Sequence, residues 1–264
     1  MELSFNRPTD IACTLDGTAT WLSDDAGAAL VDGAPNVKSR MSWITGAQTT
    51  TSETVITATW GTAIVPRVAA LIGVSLPVGL KVTIDFQDAG LFGYNSVTTA
   101  VIAMDNGTNG VWVVLPEGLD AVTGVKFHLV NDVAGATVMA AGDAVDIGEL
   151  WIGSSPTYQV TRNVKDDLVD PSIRNRTLGQ QVYTTKRLPY RSMSFDMIRV
   201  SDDDVDTSRV LRASTAQSIP SVLILQDTHL SAAMFGNITG FSLSTLSDGC
   251  YWQPSVNFEE VPNG

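Results

Sequence analysis

Apolar and polar positions alternate with a period of two along much of this chain. In residues 53–60 (ETVITATW), Ile56, Ala58 and Trp60 fall on one side and Val55, Thr57 and Thr59 on the other. Such alternation marks a half-buried strand. Residues 80–86 repeat it, with Leu80, Val82, Ile84 and Phe86 against Lys81, Thr83 and Asp85. Between them, 68–76 is apolar on both sides, as a strand covered on both faces would be. A membrane-spanning helix needs about 20 mostly apolar residues. Pro66, Arg67, Pro77 and Gly79 break the apolar reach 60–86 too often for that. The pattern predicts a hairpin-like pair of core strands turning at Leu76-Pro77-Val78-Gly79.

Further strands are predicted over 96–104, 111–116, 124–131 and 144–153, with two Asn-Gly steps in 105–110 favouring a tight turn. Six or more strands separated by regular turns predict a β-sandwich or jelly roll over residues 1–153. Residues 154–190 are polar and basic, a connecting arm with one strand near 180–185. Strands at 191–200, 220–227, 234–249 and 250–261 then give 154–264 a second, smaller β unit. Its one α-helix is predicted near 202–217. Ser201 is the N-cap candidate, acids fill the first turn, and Arg209 and Arg212 come later, as the helix dipole prefers. The fold class is therefore all-β, a β-sandwich or jelly roll joined to a β unit with one helix.

The 264 residues suffice for two ordinary domains. A net charge of −12 argues against a nucleic-acid binder that works by neutralising phosphates. The charge is uneven. Residues 160–212 hold 10 of the 16 basic residues and 8 acidic ones, whereas the remainder holds 6 basic and 20 acidic. Arg174, Arg176, Lys186, Arg187 and Arg191 crowd into 18 residues of this segment. They read either as a solvated β surface or as the seat of an acidic partner or sister subunit. Cys13 and Cys250 form neither a disulfide framework nor a metal-ligand spacing, and two free thiols are the expectation. The first residues lack a basic region followed by an apolar one, so synthesis and initial residence in a cytoplasm are expected.

Candidate chemistry is sparse. His128 lies within a strand pattern and reads as a surface or hydrogen-bonded strand residue. His229 lies in a turn near Asp227. No nucleophile, zinc or phosphate-loop motif occurs. Asp202, Asp203, Asp204 and Asp206 lack the glycine and distal glutamate of an EF-hand loop, leaving a charged helix start or a loose calcium site. Asp24, Asp25, Asp105, Asp143 and Asp146 fall in loops, and nothing selects two of them as a glycosidase pair. No cofactor or metal is implied. Trp60, Trp112 and Trp151 belong to strands and to a core. Trp21 and Trp43 flank a loop, open to either a core role or stacking on a sugar ring.

Two resemblances organise these readings. The phrases TATWLSDDAGAALVDGAPNVKSRMSWITG and ETVITATWGTAIVPRVAALIGVSLPVGLKVTIDF, with DIGELWIG closing the unit, resemble galactose-binding-like (discoidin-type) jelly rolls. Including RTLGQQVYTTKRLPYRSMSFDMIRVS and FGNITGFSLSTLSDGCYWQPSVNFEEV, the whole chain resembles structural proteins of tailed-bacteriophage tail tips and baseplates, of the distal-tail kind. The resemblance implies a non-enzymatic virion protein without membrane insertion. It would form a symmetric homo-oligomer, a trimer or hexamer, and contact other tail proteins through 154–264. Subunit contacts are expected at Arg174, Arg176, Lys186, Arg187 and Arg191, and any contact with a host-surface glycan at Trp21 and Trp43. The rival readings are a carbohydrate-binding module and a glycan-cleaving enzyme. The scarcity of arginine and histidine in the first 150 residues weighs against the former.

Overall fold

The computed structural model describes residues 1–4, 6–16, 20–22, 26–32, 39–42, 51–88, 94–132, 143–155, 163–176, 182–197, 200–201, 220–226, 228–245 and 251–261. Its first strands are β1 (Glu2–Ser4), β2 (Ala12–Asp16), β3 (Ser39–Ser42), β4 (Thr51–Ile64), β5 (Val68–Val74), β6 (Lys81–Asp88) and β7 (Tyr94–Ala100). Then come β8 (Ile102–Ala103), β9 (Asn109–Val114), β10 (Val122–Asp132), β11 (Ala144–Ile147) and β12 (Glu149–Gly153). The remaining strands are β13 (Lys165–Val169), β14 (Ile173–Arg176), β15 (Val182–Thr185), β16 (Tyr190–Asp196), β17 (Val200–Ser201), β18 (Pro220–Ile224), β19 (Met234–Thr245) and β20 (Tyr251–Glu260). One helical turn, α1 (Ala26–Ala29), lies in a stretch expected to be loop. The helix predicted near 202–217 lies outside the described residues.

Among the described residues all strand pairings are antiparallel. Strands β2-β4-β10-β6-β7 form one sheet and β12-β5-β9-β8 a second. The first sheet turns Ile56, Ala58, Val82, Ile84, Phe127 and Leu129 inward, the alternation read from the sequence. The second answers with Ala69, Leu71, Val111, Val113, Leu150 and Ile152. Strands distant in sequence are neighbours, β4 beside β10 and β5 beside β9, as in a jelly roll.

One expectation is corrected. Strands β5 and β6 are not a hairpin: β5 pairs with β9 and β12, and β6 with β10 and β7. The turn between them carries the chain across the core from one sheet to the other. Both strands are buried on the inner side, so each gains more by facing the other across the core than by lying beside it. Gly79 (φ 91°) makes the turn, a conformation costly for residues with a Cβ. Its N–H donates to the Val101 carbonyl at 2.9 Å, and the Val101 N–H donates to Leu80 at the same distance. Val101 is the second crossing point. It splits the predicted strand 96–104 into β7 and β8, which belong to different sheets.

The largest sheet runs β1-β18-β19-β20-β16-β13, with β17 added on β20. It packs on the outer face of the second sheet, where Val68, Ala70, Ile72, Trp112 and Trp151 meet Val222, Ile224 and Phe235. Trp151 and Phe235 touch edge to face with centroids 5.9 Å apart. Strand β5 is thus an inner layer, and all seven of its residues are buried. That accounts for its apolar character on both sides. The first β-strand of the chain sits on the edge of this sheet: Glu2, Leu3 and Ser4 pair with Ile224, Leu223 and Val222. Residues 2–4 therefore build on the sheet that the C-terminal part forms.

Candidate assembly site

Two buried ion pairs fasten the N-terminal segment to the sandwich. Arg67 donates to Glu2 Oε1 from Nε at 3.1 Å and from Nη2 at 2.9 Å, and from Nη1 to the Leu115 carbonyl. Arg7 Nη1 meets Glu149 Oε1 at 2.6 Å while its guanidinium lies over the Trp151 ring, 5.3 Å from the centroid. Ser4 Oγ accepts from Trp151 Nε1 at 3.0 Å and donates to the Ser154 carbonyl at 2.9 Å. Sequence reading missed these pairs. A signal was present, since Arg67 and Glu149 are isolated charges in apolar stretches, and a buried charge needs a partner.

Among the described residues, those that pack least are 163–176 and 182–189. Strand β13 pairs with β16 at the free edge of the large sheet, and four of its five residues are exposed. Among the described residues, strands β14 and β15 pair only with each other, forming a two-stranded ribbon whose described side chains join none of the hydrophobic clusters. Its base is fixed by short-range bonds. Asp170 Oδ1 accepts from the Ser172 N–H at 3.0 Å, and Ser172 Oγ accepts from the Arg187 N–H at 3.1 Å. The hydrogen bonds from Ser172, with a smaller contribution from Arg174, hold the Asp170 carboxyl below its ordinary range.

This segment nevertheless carries five of the eight exposed large apolar side chains among the described residues: Val164, Leu168, Ile173, Val182 and Leu188. Leu168 is 73% exposed, and Val182 and Leu188 are each 55% exposed. Residues 171–189 contain four basic residues and no acidic one, while the remaining chain holds 12 basic and 28 acidic. Arg174, Lys186 and Arg187 are exposed on or beside the ribbon. Arg176 lies in β14 opposite Val182.

Arg191 does not join them. Only 14% of its side chain is exposed, and Nη2 meets Asp166 Oδ2 at 2.7 Å while Nη1 donates to the Ala232 carbonyl at 3.4 Å. Burial works against its charge, but the hydrogen bond and charge of Asp166, with Glu260 and Asp105, outweigh burial and raise its pKa. Glu260 also accepts from Asn106 Nδ2 at 2.8 Å, so this cluster ties β16 and β20 to the β8–β9 turn. Adjacency in sequence grouped Arg191 with Arg187, but the strand turns its side chain inward.

Trp21 is half-buried, bridged to Met41 and packed against the sandwich core. Trp43 lies outside the described residues, as do Cys250 and the run 202–206. Trp60, Trp112 and Trp151 are buried core residues, as read from their strands. His128 sits on the outer face of the first sheet between two carboxylates. Nδ1 faces Glu53 Oε1, and Nε2 lies 3.1 Å from Asp85 Oδ2. Among the described residues no group of three or more His, Cys, Asp or Glu is arranged to hold a metal ion.

No protein-family model matches the chain, and no curated protein matches it. Among solved structures it is similar to CBM32-3 from a family 31 glycoside hydrolase from Clostridium perfringens. Identity is 12% and the TM-score 0.34, over 53% of this chain and 90% of that one. A likeness of that size carries no argument about ligand or function.

Proposed function

We propose that this protein is a non-enzymatic structural subunit of a phage tail tip or baseplate, built into a symmetric oligomer during virion assembly. The observation that carries the reading is the exposed ribbon. An isolated two-stranded hairpin is marginal in water, and one that displays Ile173 and Val182 gains stability when a partner covers them. The phrase-level resemblance to tail proteins supplies the kind of assembly. The jelly roll would then serve as scaffold, outward of the contacts made by 163–189.

Light scattering and electron microscopy of the purified chain test this. The expected result is a closed oligomer that is lost when residues 173–185 are replaced by a short glycine turn. A chain that stays monomeric while binding saccharides on a glycan array would instead favour carbohydrate recognition.

A further inference from the structure

We infer that the ribbon of one copy docks into a groove on the sandwich of the next, lined by Val65, Pro66, Pro116 and Glu117. This rests on the assembly reading above and names the partner surface. The groove, about 360 Å³, lies between the β4–β5 corner, the β9–β10 turn and Ser154–Ser155. Its character is complementary to the ribbon. Val65 is 51% exposed and the two prolines are apolar. The Glu117 side chain is 78% exposed, 3.5 Å from Arg67, whose guanidinium Glu2 already holds at 2.9 Å. Glu117 therefore has carboxylate capacity to spare for a cation from outside.

The ribbon offers Val182 for the apolar floor and, on the same face of the ladder, Arg174 for the acid, with Lys186 and Arg187 just beyond the end of its second strand. Among the described residues no ribbon residue lines the groove of its own chain, which leaves the groove open to the ribbon of a second copy. Charge also selects its symmetry. Two ribbons laid together would set four basic residues against four, so a two-fold ribbon-to-ribbon contact is disfavoured. A ribbon-to-groove contact joins unlike surfaces and propagates head to tail, closing into a ring where the rotation allows.

Charge reversal with rescue, read by sedimentation over a concentration series on the full chain, tests the pairing. Arg174→Glu with Arg187→Glu, and separately Glu117→Lys, should each weaken self-association by roughly tenfold or more. Combining all three should restore it to within a few fold. Val65→Asp should weaken association without any charge on the ribbon being altered. All four sites are exposed, and an unchanged urea midpoint confirms that each variant folds. If ribbon reversal breaks the oligomer while Glu117→Lys and Val65→Asp do not, the ribbon docks elsewhere; the groove is then wrong and the assembly reading stands. If no variant changes association, or the unaltered chain is monomeric throughout, both fall.

Discussion

Glu149 has no exposed surface, and Arg7, 2.6 Å away, offsets the cost of burying its charge. Removing one member of a buried pair leaves the other uncompensated, which costs about 3–5 kcal/mol. Glu149→Ala should therefore lower unfolding free energy by roughly that amount in urea titrations. The double variant Arg7→Met, Glu149→Leu should recover most of the loss. Cys13 lies close to the same charge. Burial first, and Glu149 second, push its thiol from 9.0 up to about 12. The folded chain thus holds the thiol proton more tightly than the unfolded chain. That contribution to stability is full below 9.0 and is lost as pH rises toward about 12. Thermal midpoints should fall more steeply over that window for the unaltered chain than for Cys13→Ala. At this scale the sequence was half legible. Trp112 and Trp151 were readable as core because their strands were. The pairing of Arg7 with Glu149 was not, because the two are 142 positions apart and only the fold brings them together.

Strands were the most legible elements, since alternation is local and survives without knowledge of partners. Partners were less so. Whether Leu76–Leu80 folds back beside its strand or crosses the core depends on which surface remains to be covered, and that is settled by β9, β10 and β12. The ribbon was half seen: 180–185 reads as a strand, but β14 is short and polar and shows no apolar period. The β19–β20 pair offers a direct test of close packing. A Cβ on Gly236 would fall inside contact distance of the Glu259 carbonyl on the neighbouring strand. Gly236→Ala should thus force the ladder apart and cost about 1–3 kcal/mol. Gly61→Ala, in open space on β4, should cost less than half as much. Comparable losses for both would show that the cross-strand carbonyl does not govern the site.

For the whole molecule, the acidic body and basic ribbon make a prediction that does not depend on where the ribbon lands. Brief trypsin treatment of dilute protein should cut first after Lys186 and Arg187, which are exposed in a segment with few contacts to any core. Assembled protein should resist at those bonds, and raising salt should restore cleavage by screening the contact. Early cuts confined to 60–130 would contradict the description of 163–176 and 182–189 as the least anchored of the described residues.

The edge position of β1 has a consequence for the chain as it is made. Glu2–Ser4 leave the ribosome long before Pro220–Ile224, the strand they pair with. At roughly 5–20 residues per second, the wait is on the order of 10–40 s. The jelly roll can close during that time, since its strands lie between. Leu3 cannot reach its final environment until residues 222–224 have been translated. Until then an unpaired strand carrying Leu3 waits beside a finished sandwich, where a chaperone or the late strand of a neighbouring nascent chain can find it first.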